Sequence, residues 1–161
     1  SSNLVGGSCR ELSHGKCAVS NLAPLFPGNA RAASRVCNKE SSGVSQWSQT
    51  DLCRDGNSFS GGWFQINIIA HADKIPGCRG AFAIHGSGLH GGCARSAVNS
   101  KGVEYCAVRN CSVQDYDKYR NCRQAVEQWE VNSQIASQLY RQSGNDFTDW
   151  KLSAGLCGAP Y

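Results

Sequence analysis

Glu40 is the residue whose position most directly suggests chemistry. Ala33, Val36 and Cys37 mark one apolar face of a predicted helix, and Glu40 continues that face at its end. A carboxyl group placed there should point inward, where burial disfavours the charged form and retains the proton. Residues 41–43 then end the helix and open a loop at a cleft edge. A protonated acid at a cleft can protonate the leaving oxygen of a glycosidic bond; the alternative is a solvated Glu with no chemical role.

A second segment, farther along the chain, contains side chains that would complete such a site. Residues 41–62 are rich in Ser, Gly and Asp and predict turns, whereas residues 63–69 alternate in polarity. The apolar members are Phe64, Ile66 and Ile68, and the opposite side carries Trp63, Gln65 and Asn67. This alternation predicts a half-buried strand or extended segment with one polar face.

Three blocks, in this order and spacing, resemble the signature of the lysozyme-like superfamily. They are Glu-Ser-Ser-Gly at 40–43, Asp-Gly-Asn-Ser-Phe-Ser-Gly-Gly-Trp-Phe-Gln-Ile-Asn at 55–67, and Asn-Ser-Gln-Ile-Ala-Ser-Gln-Leu-Tyr at 132–140. The similarity is to soluble lytic transglycosylase domains and goose-type lysozymes (glycoside hydrolase family 23). It covers residues 29–150, apart from a Cys- and Gly-rich insertion at 78–111.

The resemblance implies roles for individual residues. Glu40 matches the catalytic acid, and Gln65 matches a residue that lines the sugar cleft. Gly61 and Gly62 match small residues that let the backbone approach the glycan, while the third block has a structural role. The implied activity is cleavage of the β-1,4 bond between N-acetylmuramic acid and N-acetylglucosamine, with bacterial peptidoglycan strands as the partner.

The sequence also departs from the family pattern. Residues 152–157, Leu-Ser-Ala-Gly-Leu-Cys, stand where the family has an Ala-Tyr-Asn-like segment. Trp63 replaces a usual Leu and is expected to add a surface on which a sugar ring stacks. Asn67 replaces a family Asp, and it can orient a water molecule but cannot act as a base.

The second carboxylate decides which reaction the resemblance implies. Inverting glycosidases pair the acid with a base that activates water, whereas lytic transglycosylases lack the base and form an anhydro product. Asp55 lies just before the Gln-containing block and is the best positional match, with Asp51 second. We therefore expect hydrolysis with Asp55 positioning the water. Transglycosylation and a catalytically silent glycan-binding protein remain the alternatives, and a plain turn Asp remains the alternative for Asp55 itself.

Cysteine usage predicts the compartment. The chain of 161 residues contains ten Cys and no Met. The count is even and no Cys-x-x-Cys pair occurs, so five disulfides in an oxidising environment are expected, with the connectivity left open. The Ser-Ser start predicts a secreted, extracellular protein whose signal peptide has been removed.

The predicted fold is mainly α (α+β, lysozyme-like): a helical domain with a small β-hairpin element, stapled by disulfides. One catalytic domain spans 1–161, with a disulfide-tied N-terminal extension at 1–28 and the insertion at 78–111. Helical patterns begin after Asn29 and run from 121 to 143, where Asn132 is expected to cap the second half and Gly144 to follow the end.

Other classes of function are disfavoured. The net charge of +4 comes from scattered residues, so nucleic-acid binding is not expected, and no apolar run is long enough for membrane insertion. The Gly-x-Gly-x-x-Gly sequence at 86–91 lies in the insertion and predicts a plain loop. His85, His90 and Cys93 could mimic a metal cluster, but Cys93 is expected in a disulfide. We expect no metal, no cofactor and a monomer, and Asn110 begins a formal glycosylation sequon.

Overall fold

The computed structural model describes residues 7–161, in which two helices are followed by seven short strands and then by three helices. The helices are α1 (Val19–Leu22), α2 (Ala30–Ser41), α3 (Tyr116–Val126), α4 (Trp129–Gln142) and α5 (Lys151–Cys157). The strands are β1 (Gln46–Trp47), β2 (Ser60–Gly62), β3 (Ile66–Asn67), β4 (Phe82–Ile84), β5 (Cys93–Val98), β6 (Glu104–Arg109) and β7 (Cys111–Val113). Short 3-10 turns cover Ala72–Lys74 and Thr148–Trp150.

The strands form three separate small sheets. β1, β2 and β3 form an antiparallel sheet in that order, with Gly61 opposite both Trp47 and Ile66. β4 pairs with β7, and β5 pairs with β6, both antiparallel. The last two pairs lie in or beside the predicted insertion, so that segment is built largely from strands.

The prediction of a mainly α fold is wrong. The chain is 35% helical and 19% strand, an α+β mixture with several small sheets. The strands escaped prediction because most have two or three residues, too few to show an alternating pattern. The helical stretch expected at 121–143 is also divided, since α3 ends at Val126 and α4 begins at Trp129.

All ten cysteines are bridged, as the even count predicted. The pairs are Cys9–Cys157, Cys17–Cys37, Cys53–Cys111, Cys78–Cys122 and Cys93–Cys106. None of the described helices is long and apolar enough to cross a bilayer. Five disulfides are consistent with a secreted or extracellular protein.

An aromatic cluster packs the core behind the region where the three motif blocks meet. Phe26 lies 5.3 Å from Phe64 and 5.2 Å from Tyr140, measured between ring centroids. The buried Trp150 donates its indole N–H to the carbonyl of Phe64 at 2.7 Å. The turn before α5 is thereby attached to the second block, which fixes the two walls of the candidate site relative to each other. Trp150 belongs to the core, while Trp47 and Trp129 are only partly buried against it.

Candidate active site

Glu40 lies in the last turn of α2, as predicted. The apolar face of this helix, which includes Ala33, Val36 and Cys37, is fully buried. The helix ends because Ser42 adopts the left-handed conformation, with φ of 59°, and donates its N–H to the carbonyl of Asn38. The Glu40 carboxyl group is thereby directed from the buried side of the helix into a cavity that opens to solvent.

The environment of Glu40 favours its protonated form. Burial raises the pKa of Glu40 to about 7, and the nearby negative charge of Asp51 acts in the same direction. A hydrogen bond from Ser153 and the charge of Lys39 oppose this rise. A substantial fraction of Glu40 therefore carries a proton near neutral pH, which is the state that a general acid needs.

Ser153 holds one oxygen of the Glu40 carboxyl group. Its hydroxyl, on α5, donates to Oε2, and no other residue within 7–161 donates a hydrogen bond to this carboxyl group. The helix that carries Ser153 is fixed by the Cys9–Cys157 disulfide and by Arg35, whose Nε donates to the Cys157 carbonyl at 3.0 Å. The donor to Oε2 is thus placed by a tethered helix, and Oε1 is left for a bound molecule.

The carboxylate that shares this cavity is Asp51. Ser60 on β2 donates its hydroxyl to Asp51 Oδ2 at 2.8 Å, and the Asp51 backbone N–H donates to the Ser48 hydroxyl at 2.9 Å. The cavity has a volume of about 270 Å³. Its lining comprises Glu40, Ser48, Thr50, Asp51, Ser60, Gln65, Asn67, Asp149, Trp150, Lys151 and Leu152. Glu40 and Asp51 therefore face one polar space between the end of α2, the β1–β2–β3 sheet and the start of α5.

Asp55 lies elsewhere, so its predicted place in the cleft is wrong. Its Oδ1 accepts the N–H of Asn57 at 3.1 Å and its Oδ2 accepts the N–H of Val113 at 2.8 Å. Both oxygens are engaged by backbone, and Asp55 does not line the cavity. The residue ties its turn to β7, which is the structural role of a turn Asp. Asp51, the second-ranked candidate, occupies the cavity instead.

Gln65 and Asn67 do lie on the cavity wall, where the sequence predicted them. Gln65 has a backbone φ of 49°, and its Nε2 donates to the carbonyls of Gln46 at 2.8 Å and Gly62 at 3.0 Å. The Asn67 Oδ1 accepts the N–H groups of Ile69 and Ala70, each at 3.0 Å. Both amides are thus held rigidly by the protein as they face the cavity.

Gly61 and Gly62 are required for packing within the protein. A Cβ at Gly61 would lie 2.5 Å from the ring of Trp47. A Cβ at Gly62, whose φ is +83°, would lie 1.9 Å from the side-chain nitrogen of Asn132. Neither glycine lines the cavity. The prediction that they let the backbone approach a glycan is therefore wrong: the absence of a side chain makes room for Trp47 and Asn132 instead.

Asn132 has a different role from the helix cap that was predicted. It is fully buried inside α4, where its Nδ2 donates to the carbonyls of Gly61 and Val126, both at 3.1 Å. Its Oδ1 accepts the N–H of Phe64 at 3.0 Å. One amide therefore fixes the second motif block against the third, which explains why the two blocks occur together.

Trp63 packs away from the cavity. Its ring lies edge-on to Trp129 with centroids 5.2 Å apart, and its carbonyl faces the sulfur of Cys37. It is absent from the cavity lining, although the alternating pattern placed it on the same side as Gln65. The alternation fails because only Ile66–Asn67 is a strand, and the residues before it form a turn.

The residues that the sequence analysis did not single out include Ser60 and Asp149, which line the cavity, and Ser153, which donates to Glu40. Asp149 accepts from the Ser143 hydroxyl at 3.4 Å and lies 3.9 Å from His71 Nε2. Desolvation lowers the pKa of His71, which favours its neutral form beside the cavity. For Ser153, the sequence did contain a hint. Residues 152–157 differ from the Ala-Tyr-Asn-like segment of the similar families, and Ser153 lies within them.

The residues that could mimic a metal cluster are dispersed. His85 contacts the Ser112 hydroxyl at 2.6 Å, His90 stacks on Phe59 with centroids 4.6 Å apart, and Cys93 is in a disulfide. Across residues 7–161, no group of three or more His, Cys, Asp or Glu side chains is arranged to hold a metal ion. The glycine-rich sequence at 86–91 is a loop between β4 and β5.

Comparisons of the chain with protein-family models, with curated proteins and with solved structures find no significant match. The site itself offers a buried, protonatable Glu40 and an Asp51 held by hydroxyl groups, both on the wall of one polar cavity.

Proposed function

We propose that this chain is a secreted muramidase that hydrolyses the β-1,4 bond between N-acetylmuramic acid and N-acetylglucosamine in peptidoglycan, with Glu40 as the general acid and Asp51 as the general base. The observation that carries the proposal is the buried Glu40 carboxyl, with a pKa raised to about 7, in a cavity that it shares with Asp51.

The first half of the reaction needs a proton donor. As the bond between C1 and the glycosidic oxygen breaks, Glu40 transfers its proton to that oxygen and the leaving sugar departs as an alcohol. Ser153 holds Oε2 through its hydroxyl, so the proton is expected on Oε1, which is open to the cavity. This arrangement supports directional proton delivery to one bound oxygen.

The second half needs a nucleophile. Asp51 accepts a proton from a water molecule, and the resulting hydroxide attacks C1 from the face opposite the leaving group, so the anomeric configuration inverts. Ser60 donates to Oδ2 of Asp51, which orients the carboxylate and leaves Oδ1 to meet the water. The presence of this second carboxylate favours hydrolysis over transglycosylation, since the latter uses no such base.

The substrate assignment rests on the polar cavity, on the three-block resemblance and on the compartment. Hydroxyl, amide and carboxyl groups predominate in the lining, which suits the hydroxyl-rich surface of a sugar chain. Five disulfides suit an enzyme that acts outside the cell, where bacterial walls are met. The mild positive charge of +4 suits an anionic wall polymer.

The test is whether the protein depolymerises peptidoglycan. Purified sacculi are incubated with the protein, and turbidity and newly formed reducing ends are followed together, with chitin and β-1,4-mannan as comparison polymers. We expect clearing and reducing ends from sacculi. Release of reducing ends from chitin or mannan only would retain the acid–base pair but overturn the peptidoglycan assignment, and release from none of the three would overturn both.

A further inference from the structure

A rigid hairpin projects from the domain without a core of its own. We name residues 93–109, which comprise β5, β6 and their turn, the arm. In β5 every residue except Ala97 is exposed, and Val98, Val103 and Tyr105 are 64%, 57% and 49% exposed. Three of the ten large apolar side chains exposed in residues 7–161 lie on the arm, which comprises only 17 of those residues. Apolar exposure concentrated in one element indicates a surface that meets a partner.

The arm is braced even though its first strand is exposed on both faces. An isolated two-stranded hairpin is marginally stable in water, but the Cys93–Cys106 disulfide links the two strands of this one. Its turn is closed by Asn99, whose Oδ1 accepts the N–H groups of Lys101 at 2.9 Å and Val103 at 3.0 Å. The arm is therefore a preorganised surface.

The base of the arm lies beside the candidate active site. Just before it, His90 contacts the cavity residue Asn67 through a 2.9 Å hydrogen bond. At its other end, the N–H of Arg109 donates to the carbonyl of Leu52 at 2.8 Å, immediately after Asp51. A bound polymer that is longer than the cavity, and that extends out of it on the side of Asn67 and Asp51, would therefore contact the arm.

The arm and the cavity carry opposite charge. Arg95, Lys101 and Arg109 are exposed on the arm, where Glu104 is the one acidic residue. None of the three cations is ion-paired with any residue of 7–161. The cavity instead has three acidic residues in its lining, Glu40, Asp51 and Asp149, and one cation, Lys151. A ligand that spans both surfaces would be neutral in the cavity and anionic on the arm.

We infer that the arm binds the carboxylate-bearing stem peptides of the peptidoglycan strand whose sugars occupy the cavity, an inference that rests on the proposed function. Stem peptides branch from alternate sugars of a neutral glycan. When the sugars occupy the cavity, the carboxylates of the stem peptides extend beyond it, toward the surface on which the arm lies. Arg95, Lys101 and Arg109 would pair with the carboxylates, and Val98, Val103 and Tyr105 would pack against the small aliphatic side chains between them.

The experiment compares binding to two forms of one polymer. Glu40→Gln protein, in which turnover is slowed, is pelleted with intact sacculi or with sacculi whose stem-peptide carboxylates have been converted to amides with a carbodiimide and ammonia. The arm variant adds Arg95→Gln, Lys101→Gln and Arg109→Gln. The matched control instead adds Arg10→Gln, Lys16→Gln and Lys118→Gln, three exposed cations outside the arm, so both proteins lose the same charge.

Intact sacculi should bind the arm variant about tenfold more weakly than the Glu40→Gln protein, because each exposed ion pair contributes a factor of a few. The control triple should change binding less than about twofold, and amidated sacculi should bind all three proteins equally. Added salt should remove the preference of the Glu40→Gln protein for intact sacculi. Circular dichroism verifies that each variant is folded.

Four results would overturn the inference, and they differ from one another. Equal loss for the arm variant and the control triple would show a general charge effect. Equal loss on intact and amidated sacculi would show that the arm does not bind the stem-peptide carboxylates. If the Glu40→Gln protein binds neither form of sacculi, the proposed function fails and the inference fails with it. Dimerisation that the arm variant abolishes would make a second copy of this chain the occupant and would also overturn it.

Discussion

Glu40 and Asp55 are two carboxylates on neighbouring segments of the chain, and their surroundings are opposite. Asp55 receives a backbone N–H on each oxygen, from Asn57 and from Val113. Glu40 receives a single side-chain hydroxyl, from Ser153, and faces a cavity. Two backbone donors fix the position of a carboxylate and give it a structural role. Burial with one donor leaves a carboxyl that can exchange a proton, so the comparison separates an acid suited to catalysis from a structural anchor.

The largest expected effect is on activity at the Glu40 site. Glu40→Gln should lower the rate of peptidoglycan cleavage by about 10²–10⁴-fold, because the amide has nearly the same shape but cannot donate an acidic proton to the leaving oxygen. The rate of reducing-end release measures the loss, and circular dichroism verifies the fold. A folded variant that cleaves as fast as the parent would remove Glu40 from the mechanism.

Asp51→Asn should have the next largest effect, about 10²-fold on the same rate. The amide can still accept the Ser60 hydrogen bond but cannot take a proton from water. Wild-type rates for this variant would show that no base is needed and would favour transglycosylation.

The buried environment of Glu40 should also appear in the stability of the protein as a function of pH. The pKa of Glu40 rises from 4.5 to about 7 on folding, mainly through burial. Below pH 4.5 the group is protonated in both states and has no effect. Between pH 4.5 and 7, Glu40 loses its proton in the unfolded state but keeps it in the folded state. The free energy of unfolding of the parent therefore falls as pH rises, by about 3 kcal/mol once pH exceeds 7. Glu40→Gln removes this loss.

Urea unfolding of parent and Glu40→Gln protein at pH 4 and pH 8 measures that difference. The variant should gain stability relative to the parent as pH rises. A constant difference across this range would show that Glu40 titrates normally, and the comparison with Asp55 would lose its basis.

Ser153→Ala tests whether the hydrogen bond from the Ser153 hydroxyl sets the pKa of Glu40. The hydroxyl lowers the pKa of Glu40 by favouring the carboxylate, so its removal should raise that pKa and move the alkaline limb of the activity profile to higher pH. Activity at the optimum should fall about 2–10-fold, as expected for one hydrogen bond. Ser153→Thr, which retains the hydroxyl, is the control. An unmoved limb in Ser153→Ala would reduce Ser153 to a packing role.

The smallest effect on activity is expected at Asp55. Asp55→Asn should leave the cleavage rate within about twofold of the parent while lowering stability by about 1–2 kcal/mol, since Asn retains one acceptor for two backbone donors. Thermal unfolding measures the loss as a Tm shift of a few degrees. A large loss of activity in a variant of unchanged stability would reverse the assignment of the two carboxylates.

The predictable part of the molecule is the part determined by local pattern. The apolar face of α2 was enough to place Glu40, and the even number of cysteines was enough to predict five bridges. Asp51 and Asp55 could not be separated in this way, because both lie in a polar stretch of turns. What distinguishes them is a hydrogen bond from Val113, which reaches Asp55 only after the chain has passed through the whole insertion.

The arm escaped prediction for a different physical reason. Alternation of apolar and polar residues arises when one face of a strand is buried, and both faces of β5 are exposed. Trp63 shows the converse error, since an alternating sequence was interpreted as a strand where the chain forms a turn. Asn132 satisfies three buried backbone groups, two of which lie 68 and 71 residues away in the sequence, and no local pattern predicts those contacts.

The measurement that tests the central claim most directly is the chemistry of the products formed from peptidoglycan by the parent protein. Mass spectrometry of the released muropeptides, with and without borohydride reduction, identifies the new ends. With Glu40 as acid and Asp51 as base, every cleavage should add one water and yield a reducible N-acetylmuramic acid end. Anhydro ends would show that the sugar itself is the nucleophile and would contradict the role of Asp51, and the absence of new muropeptide ends would contradict the muramidase account as a whole.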